Sequence, residues 1–62
     1  MKFKIGDRVR VVNYRDYPQA CDKPCVITGI GPAGPMQYTV RFDELKLGTG
    51  SFGEDDLELV AR

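Results

Sequence analysis

Two cysteines, Cys21 and Cys25, are the first candidates for chemistry in this sequence, because thiolates bind metals and form disulfides. Zinc sites need three or four protein ligands, usually two cysteine pairs or one pair with histidines, and this chain contains no histidine. One chain therefore cannot complete a zinc site, although two copies could share their pairs. A disulfide is disfavoured in a reducing cytosol. We expect Cys25 to be a small core residue, Cys21 to be a free thiol in a loop, and no cofactor or metal to be bound.

Three consecutive carboxylates, Glu54, Asp55 and Asp56, are the second candidate, since clustered oxygen atoms can hold a divalent cation. The run lacks the alternating oxygen ligands and the twelfth-position glutamate of an EF-hand loop. A chain this short offers no deep cleft in which paired carboxylates could be desolvated for acid–base catalysis. Without histidine it also lacks the commonest general base. We interpret the run as a solvated acidic turn, and we predict no catalytic residue and no enzyme.

Tyr14, Arg15 and Tyr17 form the strongest candidate for binding. They lie in the predicted irregular loop of residues 13–24, and binding residues often sit on loops that a rigid scaffold holds. An exposed tyrosine beside an arginine suits recognition of a peptide or a base. Phe52, which precedes the last strand, is the candidate opposite wall of such a groove. The alternative is that both tyrosines fold over the core as a lid, and the sequence leaves both interpretations open.

Charge is distributed unevenly along the chain, although the formal net charge is zero. Residues 1–15 carry five basic residues against one acidic, whereas residues 43–62 carry six acidic against two basic. The basic end suggests a nucleic-acid-binding alternative, for which the candidates are Lys2, Lys4, Arg8, Arg10, Arg15 and Arg41. We favour pairing of the two ends, because the first and last strands of a closed sheet are neighbours and phosphate-binding proteins usually carry a net positive charge.

Period-two alternation predicts the elements that position these candidates. The predicted elements are a Gly6-Asp7 turn, strands at 8–12, 25–30 and 36–42, a short strand ending the 43–53 loop, one 3₁₀ turn at 54–57 and a closing strand at 57–60. The inward positions predict this core: Val9, Val11, Val26, Ile30, Tyr38, Val40, Phe42, Leu57 and Leu59. Gln37, Thr39 and Arg41 are predicted on the opposite face of the third strand.

Length and patterning indicate one all-β domain over residues 1–62, because 62 residues leave no room for a second. Closing five short strands into a small barrel would remove the exposed strand edges that favour aggregation. The chain has no apolar run long enough to span a membrane and no apolar leader. We therefore expect a cytoplasmic protein without a membrane partner.

Four segments of the sequence, KIGDRVRVV, VITGIG, YTVRFDE and FGEDDLELV, resemble the small SH3-like β-barrels of bacterial and phage proteins. This resemblance spans most of the chain. It implies a five-stranded SH3-like barrel with one 3₁₀ turn before the last strand, and barrels of this kind usually bind partners and rarely catalyse. The pattern is also loosely similar to ribosome-associated KOW modules, which bind RNA.

The type II dihydrofolate reductases, which are also SH3-like barrels, open with a similar Gly-Asp-Arg-Val-Arg run. Their active-site pore is lined by a Val-Gln-Ile-Tyr stretch, and the comparable stretch here is Gly50-Ser51-Phe52-Gly53. We therefore do not transfer the reductase activity. The expectation is a non-catalytic module for a protein or peptide partner, with nucleic acid as the alternative and no prediction of oligomeric state.

Overall fold

A computed structural model of the protein describes residues 2–61 and contains a single antiparallel sheet. Its strands are β1 (Arg8–Val11), β2 (Pro24–Ile30), β3 (Tyr38–Phe42), β4 (Thr49–Phe52) and β5 (Leu57–Ala61). They lie in the order β4-β3-β2-β1-β5, so the first strand pairs with the last. The prediction of a small all-β fold with five strands is confirmed. No helix within residues 2–61 is long and apolar enough to cross a membrane.

Two short 3₁₀ turns interrupt the second half of the chain. One, at Glu54–Asp56, stands before β5 as predicted. The other, at Leu45–Leu47 between β3 and β4, was not predicted. The turn before β5 is closed by the Asp56 carboxylate, which accepts a hydrogen bond of 3.1 Å from the Gly53 amide. This contact satisfies an amide that the turn itself leaves without a partner.

The ladder of hydrogen bonds runs from β4 to β5 and, over the described residues, does not join those two strands to each other. They are connected instead through Gly53 and the 3₁₀ turn at Glu54–Asp56. The pairing shifts between Ile27 and Gly29 in β2 and between Arg8 and Val9 in β1. Such irregularities bend a strand and increase its twist. Among residues 2–61 the hydrogen bonds of the sheet do not show the closure expected of a barrel.

One face of the sheet supplies most of a continuous hydrophobic core. The core residues are Phe3, Val9, Val11, Cys25, Ile27, Tyr38, Val40, Phe42, Phe52 and Leu57. Six of the nine predicted core residues are among them, namely Val9, Val11, Tyr38, Val40, Phe42 and Leu57. Burying one such side chain contributes about 1.5–3 kcal/mol, so this face dominates the stability of the fold.

The other three core predictions are corrected by the structure. Val26 is only half-buried, because β2 turns Cys25 and Ile27 to the core instead. Ile30 packs against the core without being fully buried. Leu59 lies opposite Val9 but remains 37% exposed, because β5 is the end strand of the sheet and has a neighbour on one side only.

The residues before β1 are anchored to the sheet. Phe3 is buried and meets the ring of Tyr38 edge-on, with ring centroids 5.2 Å apart. The hydroxyl oxygen of Tyr38 accepts hydrogen bonds from the amides of Lys2 and Phe3. The predicted turn follows, with Gly6 at a φ of 96° that favours glycine. Its amide donates to the carbonyl of Ile27 at 2.8 Å, which ties the turn to β2.

Candidate functional site

Asn13 organises the loop that carries the predicted binding residues. Its side-chain amide donates to the carboxylate of Asp56 at 2.7 Å and to that of Asp16 at 3.1 Å. Its side-chain oxygen accepts from the Asp16 amide, and its backbone carbonyl accepts from the Tyr17 amide at 3.0 Å. Asparagine commonly nucleates a turn in this way. The start of the β1–β2 loop is therefore fixed to the 3₁₀ turn before β5.

Tyr17 and Phe52 are in direct contact. Their rings meet edge-on with centroids 4.7 Å apart, and Phe52 meets Phe42 in the same manner at 6.0 Å. Phe52 is buried, and Tyr17 packs against the core from outside. Phe52 was expected to form the opposite wall of a groove, but it lies beneath Tyr17 instead. Tyr17 therefore has the position of a lid over the core.

Tyr14 and Arg15, in contrast, are exposed to solvent. The Tyr14 side chain is 72% exposed, and both residues line a shallow depression of about 330 Å³ together with Val12, Asn13 and Asp16. We call this surface the loop depression. The hydrogen bonds of Asn13 fix the loop at this point, so the exposed ring of Tyr14 extends from a hydrogen-bonded turn.

The structure also contains a second depression, of about 420 Å³. It is lined by Gly34, Pro35, Gln37, Gly53, Glu54, Asp55 and Asp56, and we call it the acidic cleft. Pro35 packs closely on Gly53, since a Cβ atom placed on Gly53 would lie 3.3 Å from the Pro35 carbonyl oxygen. The β2–β3 loop therefore forms one side of the cleft and the 3₁₀ turn forms the other.

The sequence pattern does not predict this cleft. The acidic run is typical of a solvated turn, and alternation predicts Gln37 on an outward face. Gln37 precedes β3 and is only 8% exposed, so strand alternation does not apply to it. The Gly31-to-Pro35 turn was the one available signal, because it returns the chain toward the last strands, but its docking on Gly53 is a tertiary contact.

Two residues that line the loop depression form hydrogen bonds to Asp56, which lines the acidic cleft. The amide of Val12 donates to the Asp56 carbonyl at 2.8 Å, and the Asn13 side chain donates to the Asp56 carboxylate. Val12 and Asn13 line the loop depression, while Asp56 lines the acidic cleft. These two contacts link the linings of the two depressions.

The basic residues of β1 are paired with acidic residues from later in the chain. Arg10 donates to Glu58 of β5 at 2.7 Å and to Asp22 at 3.2 Å, and Arg8 pairs with Asp43. The hydrogen bond to Glu58, followed by the attraction of its charge, raises the pKa of Arg10. The predicted pairing across the first and last strands is thus confirmed for Arg10 and Glu58. Arg8 instead pairs with Asp43, which directly follows β3.

The remaining members of the nucleic-acid alternative occupy separate environments. Lys2 places its Nζ atom 5.5 Å from the ring centroid of Phe3. Lys4 is exposed in the segment before β1, Arg15 lies on the loop depression, and Arg41 is exposed on β3.

Both cysteines carry free thiols. Cys25 is buried in the core, as expected, and Cys21 is half-buried in the β1–β2 loop. Among residues 2–61, no group of three or more His, Cys, Asp or Glu side chains is arranged to hold a metal ion. Comparison with protein-family models, with curated proteins and with solved structures finds no match for this chain.

Proposed function

We propose that this protein is a non-catalytic binding module of the SH3-like class, whose protein or peptide partner binds at Tyr14 and Arg15. Support for the class comes from the pairing of β1 with β5 and from the 3₁₀ turn that leads into β5. The irregular pairing in β1 and β2 and the core on one face of the sheet add to that support.

The observation that carries the binding proposal is the exposure of Tyr14 on an anchored loop. Tyrosine offers a large amphipathic surface with few rotatable bonds, and tyrosine and arginine are both enriched at energetic hot spots. The loop is already held by Asn13 and Asp56, so binding requires little further ordering, and affinity is gained when that penalty is small.

A protein or peptide partner is favoured over nucleic acid by the distribution of charge. Arg8 and Arg10 pair with carboxylates instead of standing free for phosphates, and the chain has no formal net charge. Proteins that depend on phosphate contacts need several uncompensated cations.

The two tyrosines provide a matched pair of variants for testing the site. We expect Tyr14→Ala to stay within about 0.5 kcal/mol of the wild-type stability and to lose the partner recovered from the native host by affinity capture. Tyr17→Ala should lower the free energy of unfolding by about 1–3 kcal/mol, because it removes a ring that packs on Phe52. Urea denaturation followed by circular dichroism measures both stabilities.

Leu45→Ala is the control, since Leu45 is 91% exposed and lies in the β3–β4 loop. It should change neither the stability nor the capture. The site assignment is wrong if folded Tyr14→Ala retains the partner. If Arg8→Gln with Arg10→Gln abolishes binding that also falls steeply with salt, the partner is a nucleic acid.

A further inference from the structure

Gln37 is a buried polar residue that lines the acidic cleft. It is only 8% exposed, and its backbone carbonyl is fixed by a hydrogen bond of 2.7 Å from the Gly31 amide. Its side-chain amide has no hydrogen-bond partner among the residues that the structure describes. Those residues contain no fully buried side-chain nitrogen or oxygen atom without a partner. The amide atoms of Gln37 therefore keep some contact with solvent, and Gln37 lines the acidic cleft.

The carboxylates of the cleft differ in what they already bind. Asp56 is occupied, because one carboxylate oxygen accepts from Asn13 and the other from the Gly53 amide. Glu54 and Asp55 are exposed and form no ion pair with any residue from 2 to 61. Two negative charges and one side-chain amide therefore border the same cleft, and none of the three is paired within residues 2–61.

A planar organic cation fits this set of acceptors better than a metal ion does. The described residues provide no metal-ligating group at this position. A guanidinium carries five N–H donors in a rigid fork and no acceptor, which matches two carboxylates and an amide oxygen. Pro35, on the other side of the cleft, offers an apolar surface for the methylene stem of the side chain.

We propose that the acidic cleft binds an arginine side chain of the protein or peptide partner, an inference that rests on the function proposed above. The contact between Asn13 and Asp56 joins the cleft to the loop depression. A partner segment that packs on Tyr14 and continues across this contact brings an arginine to Glu54, Asp55 and Gln37.

An NMR titration of the complete chain with N-acetyl-arginine methylamide tests the cleft without knowledge of the partner. The lysine and citrulline analogues serve as matched probes, because lysine keeps the charge without the planar fork and citrulline has nearly the shape without the charge. We expect saturable shifts of the Gln37 side-chain amide and of the backbone amides at 53–56. The shifts should saturate at lower concentration with arginine than with lysine, and citrulline should produce none.

Two variants assign the response to the cleft. Glu54→Gln with Asp55→Asn should weaken arginine binding by about two- to fivefold, the range expected for exposed ion pairs. Asp43→Asn with Glu44→Gln changes the charge equally, at a site outside the cleft, and should leave the affinity unchanged. Gln37→Leu should fold normally, because its amide makes no hydrogen bond to the described residues, and should also weaken binding.

The inference is overturned if citrulline binds as well as arginine, if lysine equals arginine, or if the control pair lowers the affinity as much as the cleft pair does. These outcomes are distinct from failure of the proposed function. If Tyr14→Ala loses the partner but the wild type does not bind arginine, the cleft proposal alone is wrong. If the wild type binds arginine but Tyr14→Ala still captures the partner fully, the Tyr14 site alone is wrong.

Discussion

The thiol of Cys25 is held in its neutral form by the core. It is fully buried, and its sulfur donates a weak hydrogen bond of 3.5 Å to the Val9 carbonyl. Burial, with a smaller contribution from the charge of Asp43, raises the pKa of Cys25 from 9.0 to about 11. The thiolate is the reactive form of cysteine, so Cys25 should react with thiol reagents far more slowly than half-buried Cys21 does.

The raised pKa of Cys25 predicts a loss of stability in alkaline solution. Because the folded thiol holds its proton more tightly than the unfolded one, its contribution to stability is complete below pH 9.0 and is lost as the pH rises through about 11. The free energy of unfolding of the wild type should therefore fall more steeply over this range than that of Cys25→Ala. Denaturant titrations at several pH values measure the difference. Cys21→Ala should follow the wild type, and parallel curves for the wild type and Cys25→Ala would contradict the prediction.

The sequence predicts Tyr14 and Tyr17 as candidate binding residues. It does not predict that Tyr14 is exposed while Tyr17 packs against the core. Tyr14 and Tyr17 lie in a segment without periodicity, so no pattern distinguishes an exposed ring from a packed one. The distinction depends on Phe52, which is 35 positions beyond Tyr17 in the sequence and touches its ring. A contact of that range requires the folded sheet.

Among the elements, β2 shows how alternation can select the wrong face. Cys25, Val26 and Ile27 are consecutive apolar residues, so alternation alone allows either Val26 or its two neighbours to face the core. The choice is made by the register, which sets Cys25 between Val9 of β1 and Phe42 of β3. The irregular pairing after Ile27 then changes which alternate residues of β2 face the core, and it brings Ile30 opposite Tyr38. By contrast, β1 and β3 alternate cleanly, and their core residues were predicted correctly.

The junction between the β2–β3 loop and the 3₁₀ turn before β5 depends on the missing side chain of Gly53. Its φ of −79° suits any residue, so alanine should be disfavoured by contact with Pro35 alone, whose Cα would lie 3.4 Å from the added Cβ. We expect Gly53→Ala to lower the free energy of unfolding by about 1 kcal/mol and to weaken arginine binding in the acidic cleft. Gly31→Ala is the control, since its nearest contact would be an ordinary 3.7 Å. Equal stabilities of the two variants would contradict this account.

For the molecule as a whole, the small core leaves little stability in reserve. Domains of this size bury only about 60% of the surface that the unfolded chain exposes. Phe3 is among the largest fully buried side chains, although it lies outside every strand. Phe3→Ala should lower the free energy of unfolding by about 3–5 kcal/mol, which is enough to unfold much of the protein at 37 °C.

Circular dichroism and thermal denaturation measure the effect of Phe3→Ala. Ile5→Ala, two positions along the same segment, is the control, because Ile5 is 67% exposed and its loss should change the stability by less than about 0.5 kcal/mol. A cooperative wild-type melting curve for Phe3→Ala would show that this segment contributes little to the fold.

The pairing of β1 with β5 also governs when the protein can become folded. Val9 and Leu59 are opposite each other in the sheet but some fifty positions apart in the chain. Bringing such distant segments together costs chain entropy before any contact compensates for it, and sheets built in this way fold on a millisecond-to-second timescale. During synthesis, β1 can therefore pair with β5 only after β5 has left the ribosome. Until then its apolar residues Val9 and Val11 lack the neighbour that completes the sheet, so newly made chains are most vulnerable to aggregation and proteolysis in that interval.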